Sequence, residues 1–182
     1  MAIDNKYILK SKRLGFRTWQ ETDLELMAEI NSDPAVMEFF PGISDKSQTL
    51  NFIENMRKQL ADKGFCYFAV DKLATEKFIG FIGLSEKTFE ADFTPCVDIG
   101  WRLSAREWNN GYATEGARAC LSYGFKELKL KKIYSIAPAI NLKSEQVMKK
   151  IGMKKVKDFK HPLLLEDKRL QDCVLYEIEN TR

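Results

Sequence analysis

The 182-residue sequence predicts an α+β fold: a mixed, mostly antiparallel twisted sheet, splayed between its central strands and flanked by helices. Three observations predict it. Segments of strand-like alternation recur along the chain, and the middle pair is joined by a polar turn short enough for antiparallel pairing. Between the strands lie segments whose apolar residues return at helical spacing, so each offers one face to a sheet. The strand–helix–strand passage in the centre favours parallel pairing at that one place.

The elements follow in order. Residues 14–19 form a first strand, and Thr22 with Glu25 reads as a capping box opening a helix that ends before Asp33-Pro34. A second helix carries Leu50, Ile53, Met56 and Leu60 on one face and stops at Gly64. Strands are expected at 65–70, 77–84 and 96–103. Ala113, Ala117, Cys120, Leu121, Phe125 and Leu128 recur at helical spacing, so the next helix is amphipathic and packs on the sheet. Residues 132–137 give a strand parallel to the one ending at Leu103, and the break at Pro138 suits a sheet that opens there, leaving backbone groups for a strand-like ligand arm. A helix over 143–150, stopped by Gly152, and two last strands complete the chain.

Composition narrows the class. With 45% hydrophobic and 30% charged residues, the chain can bury one sizeable core, so residues 1–182 are expected to form a single domain. No linker, repeat or low-complexity run interrupts it. The first residues lack the apolar run of a signal peptide and no stretch approaches the length of a membrane span, so a cytoplasmic location is expected. Cys66, Cys96, Cys120 and Cys173 are widely spaced and there is one histidine, which argues against zinc and against a disulfide framework. No metal is expected.

Chemistry concentrates in residues 106–117, Arg-Glu-Trp-Asn-Asn-Gly-Tyr-Ala-Thr-Glu-Gly-Ala, where a strand ends, a loop tightens at Gly111 and a helix begins. The first N–H groups of a helix lack internal partners and the macrodipole adds positive potential, so a diphosphate can bind there without a lysine or a metal. A P-loop is excluded because no Gly-Lys-Ser/Thr enters the helix, and a dinucleotide fingerprint because no glycine triplet has its spacing. What remains resembles the cofactor loop of the GNAT superfamily of N-acetyltransferases, whose Gln/Arg-x-x-Gly-x-Gly/Ala pattern is matched at Gly111 and Ala113. Trp108 takes the Gln/Arg position, which is similar to the Rim-type branch acting on ribosomal-protein N-termini, as is the run Gly-Tyr-Ala-Thr-Glu. A second segment, Asn141, Ser144, Met148 and Ile151-Gly152-Met153, resembles the later motif of that superfamily, with Met153 in place of Phe. The likeness extends weakly to Arg13–Arg17 and Val174–Ile178.

The resemblance implies the GNAT acyltransferase fold, acetyl-CoA as cofactor, and a primary amine as acceptor, either a protein N-terminus or a small molecule. It places the cofactor along Trp101, Arg102 and Leu103, then Trp108, Asn109, Asn110, Gly111, Tyr112, Ala113 and Thr114, and at Asn141 and Ser144. For such a reaction few side chains are needed, because positioning carries much of the rate and a carboxylate can take the ammonium proton directly or through water. Asp98 is the first candidate base, on the strand before the loop and facing away from Val97 and Ile99; pairing with a nearby cation is the competing reading. Glu86, just after the preceding strand, is the reserve. The position where many relatives carry an acidic Tyr holds Met148, so Ser144 stands either as a hydroxyl acid or, preferred, as the cap of its helix. His161, before the last strand, is a candidate lining of the acceptor cleft or simply exposed.

Charge is uneven. Residues 126–160 hold eleven lysines against three acids, a net of +8, which leaves −5 for the rest of the chain. A solvated face is the first reading, attraction of a polyanionic cofactor the second, and nucleic-acid binding the last, since no aromatic platform is interleaved. A homodimer stays open. A catalytically silent acyl-CoA-binding module is the rival to an enzyme, favoured by the missing Tyr and by Asp in place of Glu.

Overall fold

A computed structural model describes residues 6–180. Two strands, β1 (Leu9–Lys10) and β2 (Leu14–Arg17), precede helices α1 (Asp23–Ser32) and α2 (Lys46–Lys63). Three antiparallel strands follow: β3 (Tyr67–Lys72), β4 (Lys77–Lys87) and β5 (Cys96–Leu103). A short 3₁₀ turn leads to α3 (Tyr112–Lys126), then β6 (Lys132–Pro138), α4 (Leu142–Lys150), β7 (Lys154–Lys160) and β8 (Asp172–Glu179). The eight strands make one sheet in the order β1-β2-β3-β4-β5-β6-β8-β7, antiparallel except where β5 meets β6. This is the α+β architecture the sequence predicts, with β1 as an added edge strand.

Local chemistry explains the helix ends, and twice corrects the expectation. Thr22 has helical φ/ψ and caps nothing; the capping box belongs to α2, where Asp45 accepts from Gln48 N–H at 2.7 Å and the Gln48 side chain reaches back to Asp45 N–H at 2.9 Å. Ile53 and Met56 bury the inner face of α2, whereas Leu50 is left exposed, and Gly64 follows the last turn as predicted. The second correction concerns Pro138. It does not break the chain but ends β6 in register with Cys173 of β8. The sheet opens earlier, because β5 and β6 share a single ladder partner, Asp98 with Tyr134, and no residue of β5 after Asp98 pairs with β6.

The sheet has two differently covered faces. Phe68, Ile82, Leu84 and Ile99 lie in one continuous core with Ala117 and Cys120 of α3, while Trp19, Phe52 and Phe81 meet edge to face or tilted on the α1–α2 side. All four cysteines are free and buried, as expected of small apolar residues. No helix is long and apolar enough to cross a membrane.

A buried ion cluster ties β2, β3 and α1 together. Arg17 donates Nε and Nη2 to Asp71 at 2.8 Å each, and Nη1 and Nη2 to Asp23 at 2.7 and 2.9 Å. Burial alone would lower the Arg17 pKa, but these two carboxylates hold it above the ordinary value. Asp23 also accepts from Gln20 N–H at 2.7 Å, which fixes the entry to α1 in place of the expected cap. Removing one partner of such a cluster strands charge in a dry site. Arg17→Met is therefore expected to lower the unfolding free energy by about 3–5 kcal/mol, measured by denaturant titration, because buried Asp23 loses its ion partner and buried Asp71 keeps only Lys6.

Candidate active site

The loop between β5 and α3 is built to present backbone amides. Its last residue, Gly111, sits at φ 78°, a conformation that a Cβ would strain, and Asn109 at φ 61° bends the chain two residues earlier. The first intrahelical bond runs from Glu115 N–H to the Gly111 carbonyl, and no side chain caps the helix. The amides of Tyr112, Ala113 and Thr114 thus have no partner within α3. Asn110 braces the loop, its amide donating to the carbonyls of Glu107 and Trp108 at 3.2 and 3.1 Å. Arg13 closes the other side: it bonds Glu115 at 2.6 Å and the Asn110 carbonyl at 3.0 Å, with its guanidinium 4.4 Å from the centre of the Tyr112 ring. Glu115, whose negative charge would oppose an anion at a helix N-terminus, is matched by Arg13 and Ser11. Burial pushes its pKa up, but those hydrogen bonds leave it below the ordinary carboxylate value.

The free edge of β5 leads straight into this loop. Ser135 on β6 donates to the Ile99 carbonyl at 3.0 Å, so the polar groups of Ile99 point toward β6. Backbone groups alternate sides along a strand, so the N–H and C=O of Trp101 and the N–H of Leu103 point the same way, into a gap where β6 has already diverged. The Leu103 carbonyl is taken by the Trp108 indole N–H at 3.0 Å. Trp108 therefore joins the strand end to the loop, and Lys143 of α4 lies 4.7 Å from its ring centre, bringing positive charge to the junction. Arg102, grouped by sequence with this edge, departs from it: its backbone faces β4, and its side chain leaves toward the α1–α2 side, 4.0 Å from the centre of the Phe40 ring.

Asp98 stands at the last rung before the strands part. Buried, it faces the α1–α2 side with Ser85, and Tyr67 of β3 donates its hydroxyl to Oδ2. Tyr67 reaches it by lying across two glycines: its register partner is Gly83, and a Cβ on Gly100 would come within 3.0 Å of the ring. The ring stacks on Phe81 at 5.0 Å. Burial pushes the Asp98 carboxyl up to about 6, held from rising further by Lys87, the Tyr67 hydroxyl and the Ile136 amide, yet no donor reaches Oδ1 at hydrogen-bonding geometry. Tyr67 was invisible to sequence motifs; the signal for it is the pair of glycines that clears its path.

The other candidates separate. Glu86 lies within β4 rather than after it, next in line to Ser85 and so turned from the Asp98 face, and its carboxylate is held by Lys63 at 2.9 Å. Asn141, not Ser144, caps α4: the Asn141 side chain accepts from the Ser144 N–H at 3.1 Å, which overturns the capping role expected of Ser144. Met148 is in the core, as expected. His161 is partly buried rather than simply exposed, 4.3 Å from the Phe89 ring centre, with Nδ1 accepting from Leu163 N–H, and burial lowers its pKa. Among the lysines of the basic segment, Lys132, Lys149, Lys155, Lys157 and Lys160 pair with carboxylates, which agrees with a solvated face, while Lys143 points to the junction. Among the described residues no cluster of His, Cys, Asp and Glu could hold a metal.

The comparisons with known proteins bear on this site as a whole. The acetyltransferase (GNAT) domain family matches residues 13–154, a span that contains the free edge of β5, the loop and α4. An uncharacterized N-acetyltransferase of Bacillus subtilis, YnaD, is 31% identical over 153 residues, covering 84% of this chain and 85% of its own. YkkB, an uncharacterized protein of the same organism, is 29% identical over 171 residues, 92% and 98% of the two chains. The crystal structure of a GNAT-family acetyltransferase from Bacillus anthracis superposes with a TM-score of 0.78 at 32% identity, covering 94% of this chain and 97% of that one. The chain belongs to the GNAT family of acetyltransferases.

Proposed function

We propose that this protein is an acetyl-CoA-dependent N-acetyltransferase acting on a primary amine, a protein N-terminus or a small amine. What supports this most is one continuous arrangement: an unpaired strand edge, an uncapped helix N-terminus beyond it, and a buried carboxylate at the rung where the sheet opens. The donor set fits the cofactor. The Trp101 and Leu103 backbone suits its amide-containing arm, the amides of Tyr112, Ala113 and Thr114 suit its diphosphate, and Lys143 adds positive charge at the junction, while Arg13 offsets Glu115. When bound, it supplies an acetyl thioester, whose thiolate leaves readily because a simple thiol has a pKa of about 8.5.

Asp98 then has the remaining task of taking a proton from the acceptor's ammonium, so that the neutral amine can attack. A base is most effective when its pKa lies just below the working pH, and a carboxyl raised to about 6 is ionised at neutrality yet more basic than an exposed Asp. Oδ2 is held by Tyr67, while Oδ1 is buried and has no donor among the described residues, so it is the oxygen left to take the proton, through a water where the amine does not reach it. Its environment also fixes a sign for stability. Between pH 3.8 and about 6 the folded chain holds this proton and the unfolded chain does not, so this group adds stability as pH falls through 6 and withdraws it as pH rises.

Steady release of thiol from acetyl-CoA, assayed against a panel of amines and N-terminal peptides, is the expected result; binding of acetyl-CoA without release for any of them would favour the silent acyl-CoA-binding module. In the native enzyme, kcat/KM should rise with pH through an inflection near 6. Asp98→Asn should remove that inflection and lower turnover by roughly 10²-fold or more, with partial recovery at high pH where the amine is already neutral. The same variant should be no less stable above pH 6, since a buried charge has gone; normal turnover in a folded Asn variant contradicts the role.

No hydroxyl acid is needed for so good a leaving group, and Ser144 is released from the cap by Asn141. Ser144→Ala should change neither thermal stability nor turnover by much. Asn141→Ala, in contrast, should cost about 0.5–2 kcal/mol in unfolding experiments. A large loss of turnover in a stable Ser144→Ala protein would restore the acid role.

A further inference from the structure

Arg102 is a largely buried cation that no carboxylate among the described residues pairs with. Its Nη1 donates to the Asn31 side chain at 2.7 Å, and its guanidinium lies 4.0 Å from the Phe40 ring centre and 5.5 Å from that of Phe81. Burial pulls its pKa down to about 10, far enough above neutrality to leave it charged. Nε is buried, and neither it nor Nη2 bonds to any described residue. These two nitrogens form one edge of the guanidinium. The protein fills the same edge elsewhere: Arg17 uses Nε and Nη2 to grip both oxygens of Asp71 at 2.8 Å each. At Arg102 the same edge meets no hydrogen-bonding partner among the described residues.

Its surroundings point to a ligand rather than to a structural ion pair. Arg102 shares a strand face with Asp98 and Gly100, and the Tyr67 and Phe81 rings form an aromatic floor between the carboxylate and the guanidinium. Arg102 lies four positions along the strand from Asp98, a span of roughly 13 Å between Cα atoms. Two loops wall the far end. Arg169, between β7 and β8, donates to the carbonyls of Glu38 and Phe40, so the segment after α1 and the late loop meet beside the Phe40 ring that covers Arg102. Asn31, which orients Nη1, is itself fixed by donating to Thr49 at 2.9 Å. A guanidinium held on one edge by an amide and stacked on aromatics offers its other edge as a planar two-point site for a carboxylate.

We propose that Arg102 is the anion-recognition residue of the acceptor site, and that the acceptor is a primary amine that also carries a carboxylate several bonds away, rather than a polycation. This rests on the acetyl-transfer reading for which group reacts, but not for whether the carboxylate binds. The amine is directed toward Asp98 and the carboxylate toward Nε and Nη2 of Arg102. The carboxylate can belong to an ω-amino acid or to an acidic side chain near a protein N-terminus.

Two measurements test it. Acetyl transfer is followed with a ladder of ω-amino acids from glycine to aminohexanoate against their amides, and with N-terminal peptides carrying Glu against Gln near the first residue. The carboxylate member of at least one pair should be favoured by about ten- to hundredfold in kcat/KM, through KM. Arg102→Gln should bring that ratio near one, and Arg102→Lys, which keeps the charge but loses the fork, should retain part of it. The ladder and the peptides separate the two sources. Calorimetry on the protein loaded with CoA, where no transfer occurs, reads binding of the same ligands independently, and circular dichroism checks that each variant is folded. Equal use and equal binding of acid and amide, or a preference that survives Arg102→Gln, overturns the proposal. Transfer without any carboxylate preference sinks the anion site alone; carboxylate binding that depends on Arg102 with no transfer to any amine sinks the transfer reading alone.

Discussion

β5 and β6 run side by side in parallel but share one ladder partner, Asp98 with Tyr134, and the site depends on the edge this leaves. A strand in the middle of a sheet normally has both rows of backbone groups satisfied, and leaving a row open is unfavourable unless water or a ligand fills it. Here the open row belongs to Trp101 and Leu103, the third-last and last residues of β5 before the loop that leads to α3. The indole of Trp108 secures the one carbonyl nearest the loop, so the strand end is tied to the segment that leads into α3. Backbone amides pointing into a gap and backbone amides at an uncapped helix end are thereby set in line.

The opening also separates two environments. On one side of β5 lie Ile99 and Leu103, buried with the apolar face of α3; on the other lie Asp98, Gly100 and Arg102 under the α1–α2 side. Charge placed on the second face is partly desolvated, and that single fact has opposite consequences at its two ends. Asp98 is made a better proton acceptor, while Arg102 is left a cation seeking an anion. The buried, stacked rings of Tyr67 and Phe81 lie between the two charges. Stability of this face is carried elsewhere, by the closed Arg17 cluster, in which every carboxylate has its partner.

Periodicity and turn chemistry made most of the fold legible. The strand over 96–103, the helix beginning at Tyr112 and the parallel crossing to β6 were all readable, because apolar alternation and helical spacing are local properties. The loop was readable for the same reason: Gly111 must adopt positive φ, and its spacing from Ala113 survives as a pattern. What local pattern could not supply was anything decided across strands. Thr22 looked like a cap until Asp23 was drawn into the Arg17 cluster from β2, and Ser144 looked like a cap although Asn141 begins the helix three residues earlier. Glu86 looked like a loop carboxylate because nothing local reveals that β4 continues to Lys87. Tyr67 and Arg102 belong to the site through registers with Gly83 and Phe81, information that no single segment contains.

The measurement that bears most directly on the open edge is amide hydrogen exchange of β5 with and without CoA. The Trp101 and Leu103 amides, which face the gap beyond the single β5–β6 rung, should exchange fast in the free state and be slowed at least tenfold by saturating CoA, while the Arg102 amide, which faces β4, should be protected in both states. Equal protection of Trp101 and Leu103 with and without CoA, alongside demonstrated CoA binding, would contradict the account.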